Sequence, residues 1–305
     1  MAINTENPMM IFKALSRLFS IQALGLGCGF LVHLILAKQL SAADYGIYNF
    51  VFSTSMICAL MGNFGFQASA VRFIPQILSE EKPKTLKDFF SFTSVRIFML
   101  SSFISMIVHQ WLLYFEFDNE YPCEALLIGV GLTPLMSLLK LNSGILKGFK
   151  KGGWALAYES SLKEILFFIL LGSMFLSSYI VGDAKIALFL IGSILFCLLV
   201  FSFAHIMKLI SSQMKLFPSL AGVKEFKPSY KLWLSISFPM MLVISVQFLI
   251  IRSDILMLGV LTSATDVGIY SAGAKIAQAA TITMMVLNIF FSPRASELYL
   301  SLIHI

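Results

Sequence analysis

Polar positions are scarce along this chain and fall in clusters, so the sequence divides into long apolar stretches joined by short polar breaks. A helix needs about 20 residues to cross roughly 30 Å of hydrocarbon. Runs of that length recur at 18–37, 45–65, 89–109, 124–144, 160–181, 186–210, 234–260 and 268–291. Eight membrane helices are predicted. The runs are too long for barrel strands and lack their residue-by-residue alternation, so the fold class expected is all-α, a polytopic transmembrane helix bundle. Trp111, Tyr114, Tyr121, Trp154, Tyr158, Tyr230 and Trp233 lie at or near the run ends, where amphipathic rings favour the headgroup layer.

Composition agrees with a bilayer as solvent. With 58% hydrophobic and 12% charged residues, the chain has too little polar surface to cover itself in water. The positive charges alternate from break to break. Lys13 and Arg17 precede the first run, Arg72, Lys82, Lys84 and Lys87 follow the second, Lys140, Lys147, Lys150 and Lys151 end the fourth, and Lys208, Lys215, Lys224, Lys227 and Lys231 follow the sixth. The intervening breaks hold little beyond Lys38, Lys185 and acids. Positive charge stays on the cytoplasmic side, so a cytoplasmic N-terminus is predicted. This asymmetry accounts for the net charge of +6, leaves no motive for nucleic acid as a partner, and makes anionic phospholipids the expected neighbours of the lysines. The cysteines Cys28, Cys58, Cys123 and Cys197 show no metal or disulfide spacing and read as packing residues.

One eight-residue pattern occurs twice. Ser41-Ala42-Ala43-Asp44-Tyr45-Gly46-Ile47-Tyr48 returns 222 residues later as Ser263-Ala264-Thr265-Asp266-Val267-Gly268-Ile269-Tyr270, and the same offset places Arg72 over Arg294. Six predicted spans separate the copies. That number is even, so the two halves have the same orientation and form a parallel repeat about an axis along the membrane normal, a plan of secondary transporters. The expected division is a basic amphipathic lead-in at 1–17, a six-helix lobe at 18–229, and the first two helices of a second lobe at 230–299. A complete second lobe needs about four more helices. The letters Leu300-Ser301-Leu302-Ile303-His304-Ile305 read as a translated sequencing-library transposon end, so 300–305 is expected to be a gene-model scar and the chain a C-terminally truncated one.

Transporters place substrate between their repeats, which directs attention to polar residues inside the runs. Gln22, Gly25, Gly29 and His33 share one helical face at ~100° per residue, as do Asn49, Ser53, Asn63 and Gln67 on the next span. Small and amide residues also pack membrane helices together, and that alternative stays open for the Gly and Ser positions. Gln247 and Asp254 share a face of the seventh span, which Pro239 is expected to kink. Ser271, Lys275 and Gln278 share a face of the eighth, and Asp254 and Lys275 are candidates for a bridge across this hairpin. Ionisable residues inside a membrane are functional candidates by default. Arg72 and Arg294 are expected at the inner mouth. The substrate-lumen candidates are thus Gln22, His33, Asn49, Asn63, Gln67, Arg72, Gln247, Asp254, Lys275, Gln278 and Arg294. No catalytic residue and no metal ligand is predicted.

Residues 36–48, Leu36-Ala37-Lys38-Gln39-Leu40-Ser41-Ala42-Ala43-Asp44-Tyr45-Gly46-Ile47-Tyr48, resemble the LAR-x-LGP-x-x-YG-x-Y loop of polysaccharide-biosynthesis flippases. Residues 65–75 are similar to the end of their second span, Ile145-Leu146-Lys147-Gly148-Phe149-Lys150-Lys151 to their LRG-x-x-R turn, and 254–259 with 268–272 to their seventh-to-eighth junction. Lys38 stands where Arg is usual and Ser41-Ala42 where Gly-Pro is usual. The family lies in the multidrug/oligosaccharidyl-lipid/polysaccharide exporter superfamily, whose plan is two six-helix bundles facing across a lumen, 12–14 spans in all.

The resemblance implies a non-enzymatic flippase of the bacterial cytoplasmic membrane that moves a polyprenyl-diphosphate-linked oligosaccharide, with polysaccharide-assembly machinery as a further class of partner. No cofactor is expected, and coupling to an H+ or Na+ gradient or to the membrane potential stays open. A multidrug exporter of the same superfamily would line its lumen with carboxylates, whereas here bases outnumber acids. A membrane polymerase or ligase would need a sizeable external loop with catalytic Arg or His, and the longest external break has no base.

Overall fold

The computed structural model describes residues 8–79, 83–114, 121–176, 181–216 and 230–278. No strand occurs among the described residues. The helices are α1 (Pro8–Gln39), α2 (Ala42–Asn63), α3 (Phe66–Ser79), α4 (Pro83–Tyr114), α5 (Cys123–Gly148), α6 (Gly152–Leu156), a π-helical turn (Ala157–Ser161), α7 (Leu162–Leu176), α8 (Ala184–Leu216) and α9 (Tyr230–Leu261). A further helix, α10, is described over 264–278.

Among the described residues, six segments are long and apolar enough to cross a membrane: Ser20–Gln39, Ala42–Ser79, Lys84–Tyr114, Cys123–Gly148, Ala184–Lys215 and Lys231–Leu261. They correspond to six of the eight predicted spans. The fifth predicted span is divided at its start by the π turn, leaving α7 with 15 residues, and the eighth is described only to residue 278. Two boundaries differ from the sequence reading. Residues 8–17 continue into the first span as one helix. The second span does not stop at Gly65: Phe64 and Gly65 take positive φ angles of 52° and 74°, breaking the helix, and α3 carries the chain on for 14 residues.

The repeated octapeptide has a plain local role. Ser41 is the N-cap of α2 and its Oγ accepts a hydrogen bond from the Asp44 amide at 3.0 Å. Ser263 does the same for Asp266 at 3.2 Å, and the Asp266 carboxylate accepts in return from the Ser263 amide at 3.3 Å. Both copies therefore cap a helix start and satisfy one of its first free amides, and the second also closes the reciprocal bond of a capping box. Two residues beyond each Asp stands the glycine at which the helices cross. A Cβ on Gly46 would lie 1.8 Å from the Ala264 carbonyl oxygen, and one on Gly268 1.9 Å from the Ala42 carbonyl oxygen. Equivalent atoms meet reciprocally, as a two-fold relation between the α1–α2 and α9–α10 hairpins requires.

Helix α5 is the axle of the first six spans, packing against α2, α3, α4 and α8. Polar side chains tie it in, since in hydrocarbon apolar burial alone gives helices little reason to associate. Ser55 Oγ donates to Gly129 O at 3.0 Å, Ser137 Oγ to Ala59 O at 2.6 Å, and Asn142 Nδ2 to Ser202 Oγ at 2.8 Å. Helix α1 packs on α7 and the π turn, and α9 lies along α2 and α3. Two apolar cores result. One, around Leu36, Tyr48, Phe50 and Leu188, reaches Ile255 and Val267. The other, around Phe66, Phe89, Leu141 and Ile145, receives Trp233, whose ring meets Phe89 edge-on at 4.9 Å. Outward faces carry Phe98, Met99, Phe103 and Met106 of α4 and Phe189, Phe196 and Phe201 of α8. Such patches would aggregate in water and suit acyl chains.

Asn63 joins three elements. Its Nδ2 donates to Ser137 O at 3.0 Å, and its Oδ1 accepts from the Gln67 amide at 2.9 Å, so one buried amide ties α2 to α5 and caps α3. Asn63→Ala leaves the Gln67 amide without its acceptor and removes the tie to Ser137 O of α5, and should destabilise the chain by about 2 kcal/mol. Thermal unfolding in detergent checks this, and a midpoint equal to wild type would reject it.

Candidate functional site

Among the described residues, two groups of charged side chains stand between the helices. The first joins both hairpins of the repeat. His33 of α1 shares a hydrogen bond between Nδ1 and the Tyr45 hydroxyl at 3.1 Å and meets Tyr45 and Tyr48 edge-on. Lys163 and Glu164 of α7 form an ion pair of 2.9 Å, and the Lys163 ammonium lies 5.3 Å from the centre of the Phe52 ring. From the second hairpin come Arg252 and Lys275. Arg252, Glu164 and Lys163 all act electrostatically on Lys275, while Lys275, Lys163 and Arg252 act on His33. Arg252 Nε and Ser271 Oγ are buried with no hydrogen-bond partner among the described residues. Buried donors without acceptors are costly, so they mark places where structure yields to another demand.

Asp254 belongs to the same hairpin but does not bridge to Lys275. Its carboxylate accepts from the Tyr270 hydroxyl at 2.7 Å and from the Ile255 amide at 2.8 Å. The expected Asp254–Lys275 bridge is thus replaced by a Tyr–Asp hydrogen bond, because the tyrosine ending the repeated octapeptide reaches Asp254 from the start of α10. Asp254 still acts on Arg252. The group therefore holds three cations, Lys163, Arg252 and Lys275, against two carboxylates, Glu164 and Asp254.

The second group centres on Glu159, in the π turn. Gln67 Nε2 donates to its Oε1 at 2.6 Å, while Ser143 Oγ and Lys147 Nζ donate to its Oε2 at 2.5 and 2.9 Å. Lys140 Nζ lies 3.9 Å from Oε1. Lys140 is thereby held inside rather than extended to the interface, as its position near a helix end suggests from sequence. Sequence reading missed Glu159 altogether. The usable signal is the three-residue break between α5 and the next helix, which returns the chain antiparallel and sets a lone acid opposite two lysines.

The remaining predicted residues separate. Gln22 Oε1 accepts from Ser161 Oγ at 2.6 Å and Ser160 Oγ at 3.2 Å, and Gly25 and Gly29 lie against Ser161 and Glu164, so this stripe of α1 is a packing face on the π turn and α7. Asn49 is buried with its amide donating to Tyr45 O at 2.8 Å within its own helix. Gln67 is drawn into the Glu159 group. Arg72, Gln247 and Gln278 are exposed. Arg294 lies outside the described residues, as does the 300–305 segment.

Half-buried charge thus stands among apolar helices where the two hairpins of the repeat meet. Comparison with known proteins supplies the biological setting. The sequence model of one family, described as polysaccharide biosynthesis protein, matches residues 11–298. The chain belongs to that family. Neither curated proteins nor solved structures give a match.

Proposed function

We propose that this polysaccharide biosynthesis protein is a flippase, moving a polyprenyl-diphosphate-linked oligosaccharide from the cytoplasmic to the outer leaflet. The observation that carries the reading is the cationic excess of Lys163, Arg252 and Lys275 at the junction of the two hairpins. A diphosphate with sugars attached crosses hydrocarbon only at great cost, since each unpaired polar group there costs several kcal/mol and a charge more. Ammonium and guanidinium donors can replace its water with charge-assisted hydrogen bonds, while the polyprenyl tail stays in lipid. No covalent bond changes. An exporter of cationic drugs needs the opposite balance, carboxylates in excess over bases.

Deleting the gene in its host tests the reading. Surface polysaccharide should be lost and lipid-linked oligosaccharide should accumulate facing the cytoplasm, with drug sensitivity unchanged. Raised sensitivity to cationic drugs with normal surface polysaccharide would favour the exporter and reject the flippase.

A further inference from the structure

We propose that the Glu159 group is a binding site for a phosphate or diphosphate oxyanion, with Glu159 occupying it as an internal stand-in until the ligand displaces the carboxylate. Four donors from two elements converge on this one side chain: Gln67 Nε2 of α3, and Ser143 Oγ, Lys147 Nζ and Lys140 Nζ of α5. A single carboxylate has less charge than a diphosphate and fewer oxygens to offer. Two ammonium groups, an amide and a hydroxyl facing one point are the donor set by which proteins hold phosphoryl oxygens. Here a glutamate answers them.

The site is placed for exchange. Lys140 stands eight residues before the end of α5, roughly 12 Å along the helix, so the group lies shallowly, at the end of the bundle that carries the basic breaks. Lys147 has a third of its side chain exposed, at 32%, and Glu159 21%, which leaves a way in for an anion. Glu159 owes its direction to the π turn Ala157–Ser161. Such turns hold one residue more than an α turn and recur at functional sites; a return to α register would swing the carboxylate about 100° away from α5. The Lys140 ammonium also lies 5.2 Å from the centre of the Phe248 ring on α9, so the exchange takes place at a contact between the two halves of the repeat. The contrast with Lys163–Glu164 is instructive. There one lysine meets its neighbouring acid, and among the described residues no ring of neutral donors completes a site.

The identity of the ligand as a substrate headgroup rests on the flippase reading; the displacement of Glu159 by phosphate does not. Pyrophosphate binding to the full chain in nanodiscs of zwitterionic lipid, measured by equilibrium dialysis, tests the displacement. Glu159→Gln removes the competing charge and should tighten pyrophosphate binding about tenfold, and Glu159→Ala should do the same, so that loss of fold in one variant leaves the other to decide. Lys147→Ala should weaken binding in the wild-type background and cancel the gain in either variant. Equal or weaker binding by a folded Glu159 variant overturns the proposal, whatever the gene deletion shows. Vesicles then separate the sources. Competition by vesicles carrying a polyprenyl diphosphate, and not by vesicles carrying phosphatidylglycerol, supports a substrate headgroup; equal competition by both keeps the phosphate site and overturns its assignment to substrate.

Discussion

Alanine at Gly46 should cost the folded chain about 3 kcal/mol, and alanine at Gly268 should cost the same. The two added methyl carbons would lie 1.8 Å from Ala264 O and 1.9 Å from Ala42 O. Both obstacles are backbone atoms, which cannot rotate aside as a side-chain end can, so relief requires the hairpins to part. Elsewhere a methyl group is harmless. Gly27 and Gly131 have nothing within 4 Å of an added Cβ, and alanine there should be neutral or stabilising by up to ~1 kcal/mol through helix propensity. The Gly46→Ala, Gly268→Ala double variant should lose less than the sum of the two, because one methyl group already opens the crossing that the other would obstruct. Thermal unfolding of the detergent-solubilised chain compares all five. A Gly46→Ala midpoint no lower than that of Gly27→Ala would remove the crossing from the account.

Why the equivalence of the two glycines could be anticipated, and Glu159 could not, follows from how each is encoded. Apolar length marks a membrane helix whatever packs against it, so the spans and the all-α class were legible. A repeat is legible because both copies are written out. Even so, spacing gave the equivalence of Gly46 and Gly268 and not their contact, which depends on how the hairpins fold over one another. The Glu159 group draws on α3, α5 and a π turn, distant in sequence and out of α register, so a reading at 100° per residue put the span start at Ser160 and passed over its neighbour. The same limit explains the stripes. Periodicity places Gln22, Gly25 and Gly29 on one face of α1 but does not say what that face meets; Gln22 meets Ser160 and Ser161. Asn63 likewise looked like part of a polar wall, and its amide is committed to Ser137 O and the start of α3.

Lys275→Gln, introduced at the chromosomal locus, should lower surface polysaccharide at least tenfold at equal protein level. Lys275 is one of three cations at the junction of the hairpins, and its amide replacement keeps length and polarity while removing the charge that a diphosphate would meet. Two carboxylates, Glu164 and Asp254, already stand against the three cations. Losing one cation therefore cancels the whole excess rather than a third of it. An exposed polar residue of the same hairpin serves as control: Gln247→Ala should stay within about twofold, since exposed side chains away from special features rarely matter. Glu164→Gln pushes the balance the other way and frees Lys163 from its 2.9 Å partner. It should tighten headgroup binding and still slow export, because a solute held more firmly at the junction leaves it less readily, and tighter ground-state binding alone gains nothing in turnover. Normal export by Lys275→Gln would show that the headgroup takes another route, and the positive balance at the junction would then be a property of packing alone.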